Sequence, residues 1–288
     1  MSDMTDASIA EDPPFRETTG AIEDGLPAPK HRFPECWRTM LPYLAAFLLP
    51  LAFYAFLMDL PNQRFDVPLG YGYHKDMLFE ATTFKVFTDR TNPFNSPNLG
   101  APFGTNVFFY PMNAHVTALI LFVSGLFFSG YGAAANAAYL FTCMIAGLTA
   151  MWSLRRLSVP VWPALAGALL YVFLPVNTFT GVWHFNLSCM FTPVAAMMAL
   201  KFMGGNWADL SKWDRRVGWA CCVLLGFNDP YEAFFCCMAF CVVMLVVLLS
   251  GHVRKALLPL GAVVIIVGCG AVNGIPGMLA QRANPVCA

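Results

Sequence analysis

Residues 59–113 form a polar, aromatic stretch in an otherwise hydrocarbon-like chain, and the side chains best suited to acid–base chemistry gather there. His74, Lys75, Asp76 and Glu80 lie close together, and apolar residues Met77, Leu78, Ala81, Phe84 and Phe87 recur among them near helical spacing. That pattern predicts an amphipathic helix on a membrane surface, with Asp76 and Glu80 stacked on one face at i and i+4. Asp76 is the candidate general base. A carboxylate set beside apolar surface has its proton affinity raised toward the working pH, which suits activation of a hydroxyl or amine acceptor. The plainer role for Asp76 is a helix-start carboxylate favoured by the helix dipole. His74, Asp76 and Glu80 suit a divalent cation chemically, although their spacing matches no recognised metal motif, and no other cofactor is indicated.

Three further places carry polar chemistry. His115 stands where the long loop meets the next apolar run, and His184 lies in the turn Gly181-Val-Trp-His-Phe-Asn186. A lone interfacial histidine is more often a hydrogen-bonded surface residue than a functional one. The third place is Gly226-Phe-Asn-Asp-Pro-Tyr231, between a short apolar segment and a long one. Read blandly it is a turn with proline in the first helical position. Read functionally it is a broken helix of the kind that meets substrates at membrane depth.

The elements that must position these groups are apolar helices. The 288 residues are 58% hydrophobic and 12% charged, about half the charge of a soluble domain. Apolar segments cover about 40–58, 114–130, 134–154, 160–176, 185–203, 217–227, 231–250 and 256–274, several near the roughly 20 residues that span a bilayer. The fold class expected is an all-helical integral membrane bundle. Its long first outer loop, 59–113, carries the juxtamembrane amphipathic helix. Residues 1–39 are acidic and rich in Pro, Ser, Thr and Gly, which predicts a disordered tail; residues 40–288 form the membrane domain. Zero net charge argues against nucleic acid as a partner. The ten cysteines sit mostly inside apolar runs and lack C-x-x-C spacing, so they read as small hydrophobes.

Basic residues set the orientation. Lys30, His31, Arg32 and Arg38 precede the first run, which places the N-terminus in the cytoplasm. Arg155-Arg156, Lys212 with Arg215-Arg216, and Arg254-Lys255 follow three later runs. All three clusters share the cytoplasmic side only if one of the segments 114–130 and 134–154 fails to cross. Asp76, His115, His184, Asn228, Asp229 and Tyr231 then fall on the opposite side together, and one-sided clustering favours a single extracytoplasmic site.

Four motifs carry a family resemblance: Lys75-Asp76-x-Leu-Phe, S-P-N-L-G-A-P-F-G at 96–104, F-Y-P-M-N-A-H at 109–115, and W-H-F-N-L-S at 183–188. From about residue 40 onward the chain resembles bacterial polytopic proteins of the GT-C glycosyltransferase superfamily, similar in plan to protein mannosyltransferases and aminoarabinose transferases. The resemblance implies a bacterial inner-membrane enzyme that moves a sugar from a polyprenyl-phosphate donor to an extracytoplasmic glycan, lipid or protein acceptor. By motif position Asp76 takes the base role, His115 and His184 face phosphate or sugar, and Asp229 and Tyr231 occupy the place of a tyrosine-rich break. Glu80 joins the substrate-binding set beside Asp76, while Lys75, Arg90, His115 and His184 are the cationic or hydrogen-bonding partners for a leaving phosphate. Lys75 stands where the family carries glycine and Ser96 where it carries asparagine. Family members are considerably longer, so the chain is expected to correspond to part of such a protein. The competing expectations are a non-catalytic sugar or lipid translocase and an inactive membrane scaffold.

Overall fold

The computed structural model describes residues 35–57, 59, 65–66, 85–89, 91–93, 95–96, 106–107, 114–174 and 189–283. Every major element among them is helical: α1 (Glu35–Leu57), α2 (His115–Phe127), α3 (Tyr131–Arg156), α4 (Val161–Val172), α5 (Thr192–Met203), a short 3-10 turn (Trp207–Asp209), α6 (Lys212–Phe227), α7 (Pro230–Leu249), α8 (Val253–Asn273) and α9 (Ile275–Ala283). Helix α1, α3, α7 and the run from α8 into α9 are long and apolar enough to cross a membrane. Their outward faces stay apolar. Phe234, Phe235, Val242 and Leu249 of α7 are all exposed, as suits a hydrocarbon solvent and not water.

Several boundaries differ from the sequence expectation for local reasons. The first helix starts at Glu35, inside the stretch read as a tail ending at 39. Helix α5 starts at Thr192, seven residues after the apolar run begins at 185, because Pro193 lacks an N–H and belongs in a first turn. Helix α6 starts five residues before its apolar run at 217. Its polar first turn is capped by Ser211, whose Oγ accepts the Asp214 N–H at 3.0 Å.

Helix direction alternates, which sorts the termini into two ends. Gly147 meets Ala46, and Tyr139 stacks on Tyr54, so α1 and α3 run antiparallel. Tyr54 donates from its hydroxyl to the Val172 carbonyl at 3.2 Å, bringing the end of α4 to the end of α1. At the other end Arg156 pairs with Asp214 at 2.8 Å, Trp152 stacks under the Arg156 guanidinium, and the Lys255 ammonium lies against Gly205. All three basic clusters therefore share one end. Helices α4 and α5, with 12 residues each, are as short as the 13-residue α2, about 20 Å, and α2 is distinguished by where its ends lie. It begins against the termini of α6 and α8 and finishes beside the start of α3.

Candidate functional site

Among the described residues, the end opposite the basic clusters holds most of the buried polar side chains: Thr117, Asn136, Asn228, Asp229, Glu232 and Asn273. Their arrangement follows from Asn228-Asp229-Pro230. Proline has no N–H and cannot continue α6, so the chain breaks and restarts as α7 with Pro230 in its first turn. Asp229 caps the new helix, its Oδ1 accepting from the N–H of Tyr231 at 2.7 Å and of Glu232 at 3.2 Å. Asp229-x-x-Glu232 has the spacing of a capping box, in which the glutamate reaches back to its own cap. Here it reaches to another helix. Glu232 Oε1 accepts from the N–H groups of Phe191 and Thr192 at 3.0 and 2.9 Å and from the Thr192 hydroxyl at 2.9 Å. Oε2 accepts from Asn228 Nδ2 at 2.7 Å. A carboxylate is thus seated on the positive N-terminus of α5, and Glu232 is only 3% exposed.

Helix α2 joins this network through its first turn. The Thr117 hydroxyl donates to Asn228 Oδ1 at 3.3 Å. His115 Nδ1 is hydrogen-bonded to Asn273 Oδ1, and Asn273 Nδ2 donates to the Gly226 carbonyl at 3.2 Å. Parts of the long loop lie against the same helices. Residues 85–88 are helical, the Thr88 carbonyl packs on Gly125 of α2, and Val86 and Val107 pack on Ala280 of α9.

The structure therefore brings together His115, Asn228 and Asp229. It does so with Asp229 as a helix cap and with the Tyr231 side chain turned outward, 66% exposed. Lys75, Asp76, Glu80, Arg90 and His184 lie outside the described residues, as does His74. Among the described residues no group of three potential metal ligands is found. Glu232, Asn273 and Thr117 are additions that sequence reasoning passed over. The available signal was a single carboxylate in a 20-residue apolar helix. Chemically, Glu232 has both oxygens engaged and serves as a fixed anchor. Burial holds the proton affinity of the half-buried His115 below the ordinary histidine value. Beside the cluster, an apolar groove of about 580 Å³ runs between α1, α2 and α3, lined by Leu51, Phe65, Leu119, Val123, Phe128 and Phe141.

These features define an all-helical bundle of membrane type with a buried polar cluster at one end. Residues 43–285 match DUF6311, a domain of unknown function, and the chain belongs to that family. No curated protein matches the sequence. No solved structure matches it either.

Proposed function

We propose that this chain is a polytopic inner-membrane protein with its N-terminus in the cytoplasm, and that it works as a GT-C-like glycosyltransferase. The observation that carries the reading is the anchoring of the first loop. Its last residues enter α2, whose His115 and Thr117 are hydrogen-bonded into the α6–α7 break and the end of α8. The stretch of sequence that holds Lys75, Asp76, Glu80 and Arg90 leads into this start of α2, which lies away from the three basic clusters. The positive-inside rule puts that polar end outside. The apolar groove between α1, α2 and α3 suits a hydrocarbon chain, as a polyprenyl-phosphate donor requires.

In this reading the acceptor hydroxyl attacks the anomeric carbon of the donor sugar and passes its proton to the Asp76 carboxylate. The bond from that carbon to the phosphate oxygen breaks, and the phosphate leaves with the electron pair, giving an inverted linkage. Lys75, Arg90, His115 and His184 are the groups assigned to the donor's sugar and phosphate, and Asp229 and Tyr231 are assigned to substrate at the break. A translocase would call for ionisable groups along the spans. Among the described residues the charges in the four long helices sit near their ends: Arg155 and Arg156 in α3, Glu232 in α7, Arg254, Lys255 and Arg282 in the α8–α9 run.

The test is transfer from radiolabelled polyprenyl-phosphate sugars by the purified full chain and by Asp76→Asn. Loss of a general base lowers the rate about 100-fold or more. Equal turnover in the two proteins removes Asp76 from the mechanism, and absence of turnover in both overturns the transferase reading.

A further inference from the structure

We infer that the basic end of the bundle is a docking surface for this chain's own acidic N-terminal segment, residues 3–24. Among the described residues, the three basic clusters put seven cations at that end and Lys201 adds an eighth, against the two carboxylates of Asp209 and Asp214. Six positive charges are left over, and Asp214 is already paired with Arg156. The side chains of Lys212, Arg215, Arg216 and Arg254 make no ion pair or hydrogen bond among the described residues. All but the half-buried Arg215 are exposed. Two other cations lie across helix ends. Arg156 reaches from α3 to α6, and Lys255 reaches from α8 to Gly205 beyond α5, where a Cβ would lie 3.0 Å from its ammonium. The surplus is therefore spread over the end face of the bundle, where lipid headgroups meet only the rim, and it draws a polyanion.

The chain supplies one at the same place. Ala46 lies against Gly147 and Tyr54 against Tyr139 in antiparallel register, so α1 starts level with Arg155 and Arg156. Residues 1–34 lie outside the described residues. Before residue 30 their sequence carries seven carboxylates, from Asp3 to Asp24, against Arg16 alone. Seven against one leaves six negative charges, equal to the surplus on the end face. The nearest acid, Asp24, stands eleven residues before Glu35, which is about 40 Å of extended chain. Neighbouring helices are about 10 Å apart. Three such steps run from α1 to α3, across the Arg156–Asp214 pair to α6, and on to α8, whose Gly261 packs on Trp219 of α6. The segment thus reaches every cluster. A single exposed ion pair contributes little, but a short tether raises the local concentration of the segment to the millimolar range, and several weak pairs act together. The docking is accordingly reversible and weakened by salt. It concerns the basic end and does not depend on the transferase reading.

Carbodiimide cross-linking of the purified full chain in phosphatidylcholine nanodiscs, read by peptide mass spectrometry, tests the inference. The reagent joins a carboxylate to a lysine in contact with it and leaves no spacer. The expected products are links within one chain from the acids of residues 3–24 to Lys212 and Lys255. At about 1 M sodium chloride, where the Debye length is about 3 Å, their yield should fall at least about fivefold. Links confined to Lys30, links found only between two copies of the chain, or no links at all overturn the proposal. Replacing Arg215→Gln, Arg216→Gln and Arg254→Gln together leaves both lysines in place and removes three of the charges. The yield should again fall at least about fivefold, because the attraction is electrostatic. An unchanged yield would mean that the tether alone brings the segment past these lysines, and docking would be refuted. Should the triple variant fail to fold, Arg254→Gln alone and the salt series still decide. In nanodiscs containing about one third phosphatidylglycerol, an anionic lipid that basic patches attract, the links should persist. Their loss there would assign the surface to the anionic leaflet and overturn the inference.

Discussion

Glu232 accepts four hydrogen bonds from two stretches of chain, the start of α5 through Phe191 and Thr192 and the break through Asn228, and Asn228 in turn accepts from Thr117 of α2. Truncation to alanine strands the buried Phe191 N–H, the part-buried Thr192 N–H and hydroxyl, and the Asn228 amide, each worth about 1–3 kcal/mol when left unpaired and buried. Glu232→Ala should therefore lose at least about 3 kcal/mol in detergent unfolding. Glu232→Gln is a sharper probe. Its amide nitrogen can replace Oε2 if Asn228 turns over and the Thr117 hydroxyl switches from donor to acceptor, both of which their chemistry permits. The expected loss is below about 1.5 kcal/mol. A glutamine as harmful as alanine would show that the negative charge on the α5 terminus matters more than hydrogen-bond satisfaction. The break itself was legible in Asn-Asp-Pro, and so was its polar character. The role of Glu232 was not, because its partners Phe191 and Thr192 are 41 and 40 residues away and no local period encodes them. Asn273 hid for the same reason, 158 residues from His115.

At the scale of elements, prolines and glycines fix how closely the helices approach. Pro50 within α1 removes the N–H that would satisfy the Ala46 carbonyl one turn earlier. That carbonyl faces Gly147 of α3, where a Cβ would lie 2.3 Å from it. The contact is a backbone-to-backbone approach of the kind that small residues allow between apolar helices. Gly147→Ala should force α1 from α3 and lower stability by about 1–3 kcal/mol. The matched control is Gly268→Ala in α8, where a Cβ meets nothing within 4 Å; it should be neutral or gain up to about 1 kcal/mol from helix propensity. Equal melting temperatures for the two variants would refute the close-approach account. Helix identity was readable from hydropathy, whereas helix starts were not always so. Polar first turns such as Lys212 to Arg215 are invisible to a search for apolar runs, and capping by Ser211 and the placement of Pro193 are the signals that locate them.

Among the described residues, the three basic clusters and the buried polar cluster lie at opposite ends. Arg156, Lys212, Arg215, Arg216, Arg254 and Lys255 occupy one end, held together in part by the buried Asp214. Uncharged amides, His115, Asp229 and Glu232 occupy the other. From sequence alone the count of crossings stood open by one, because the runs at 114–130 and 134–154 both look apolar. In the structure α3 has 26 residues and runs the depth of the bundle, while α2 has 13 and starts within the polar end. The start of this short helix is bonded to the α6–α7 break and to the end of α8. Had α2 crossed, His115 and the start of α3 would be divided by the bilayer. The consequence can be measured by labelling single added cysteines with a membrane-impermeant maleimide, against the signal of the parent chain. Asn95 and Lys212 are both exposed. Asn95→Cys should label in intact cells, and Lys212→Cys only after the membrane is opened. Labelling of both sites from the same side would mean that the basic end and the loop share a compartment, and the division of the molecule into a cytoplasmic anchor and an outer site would fail with it.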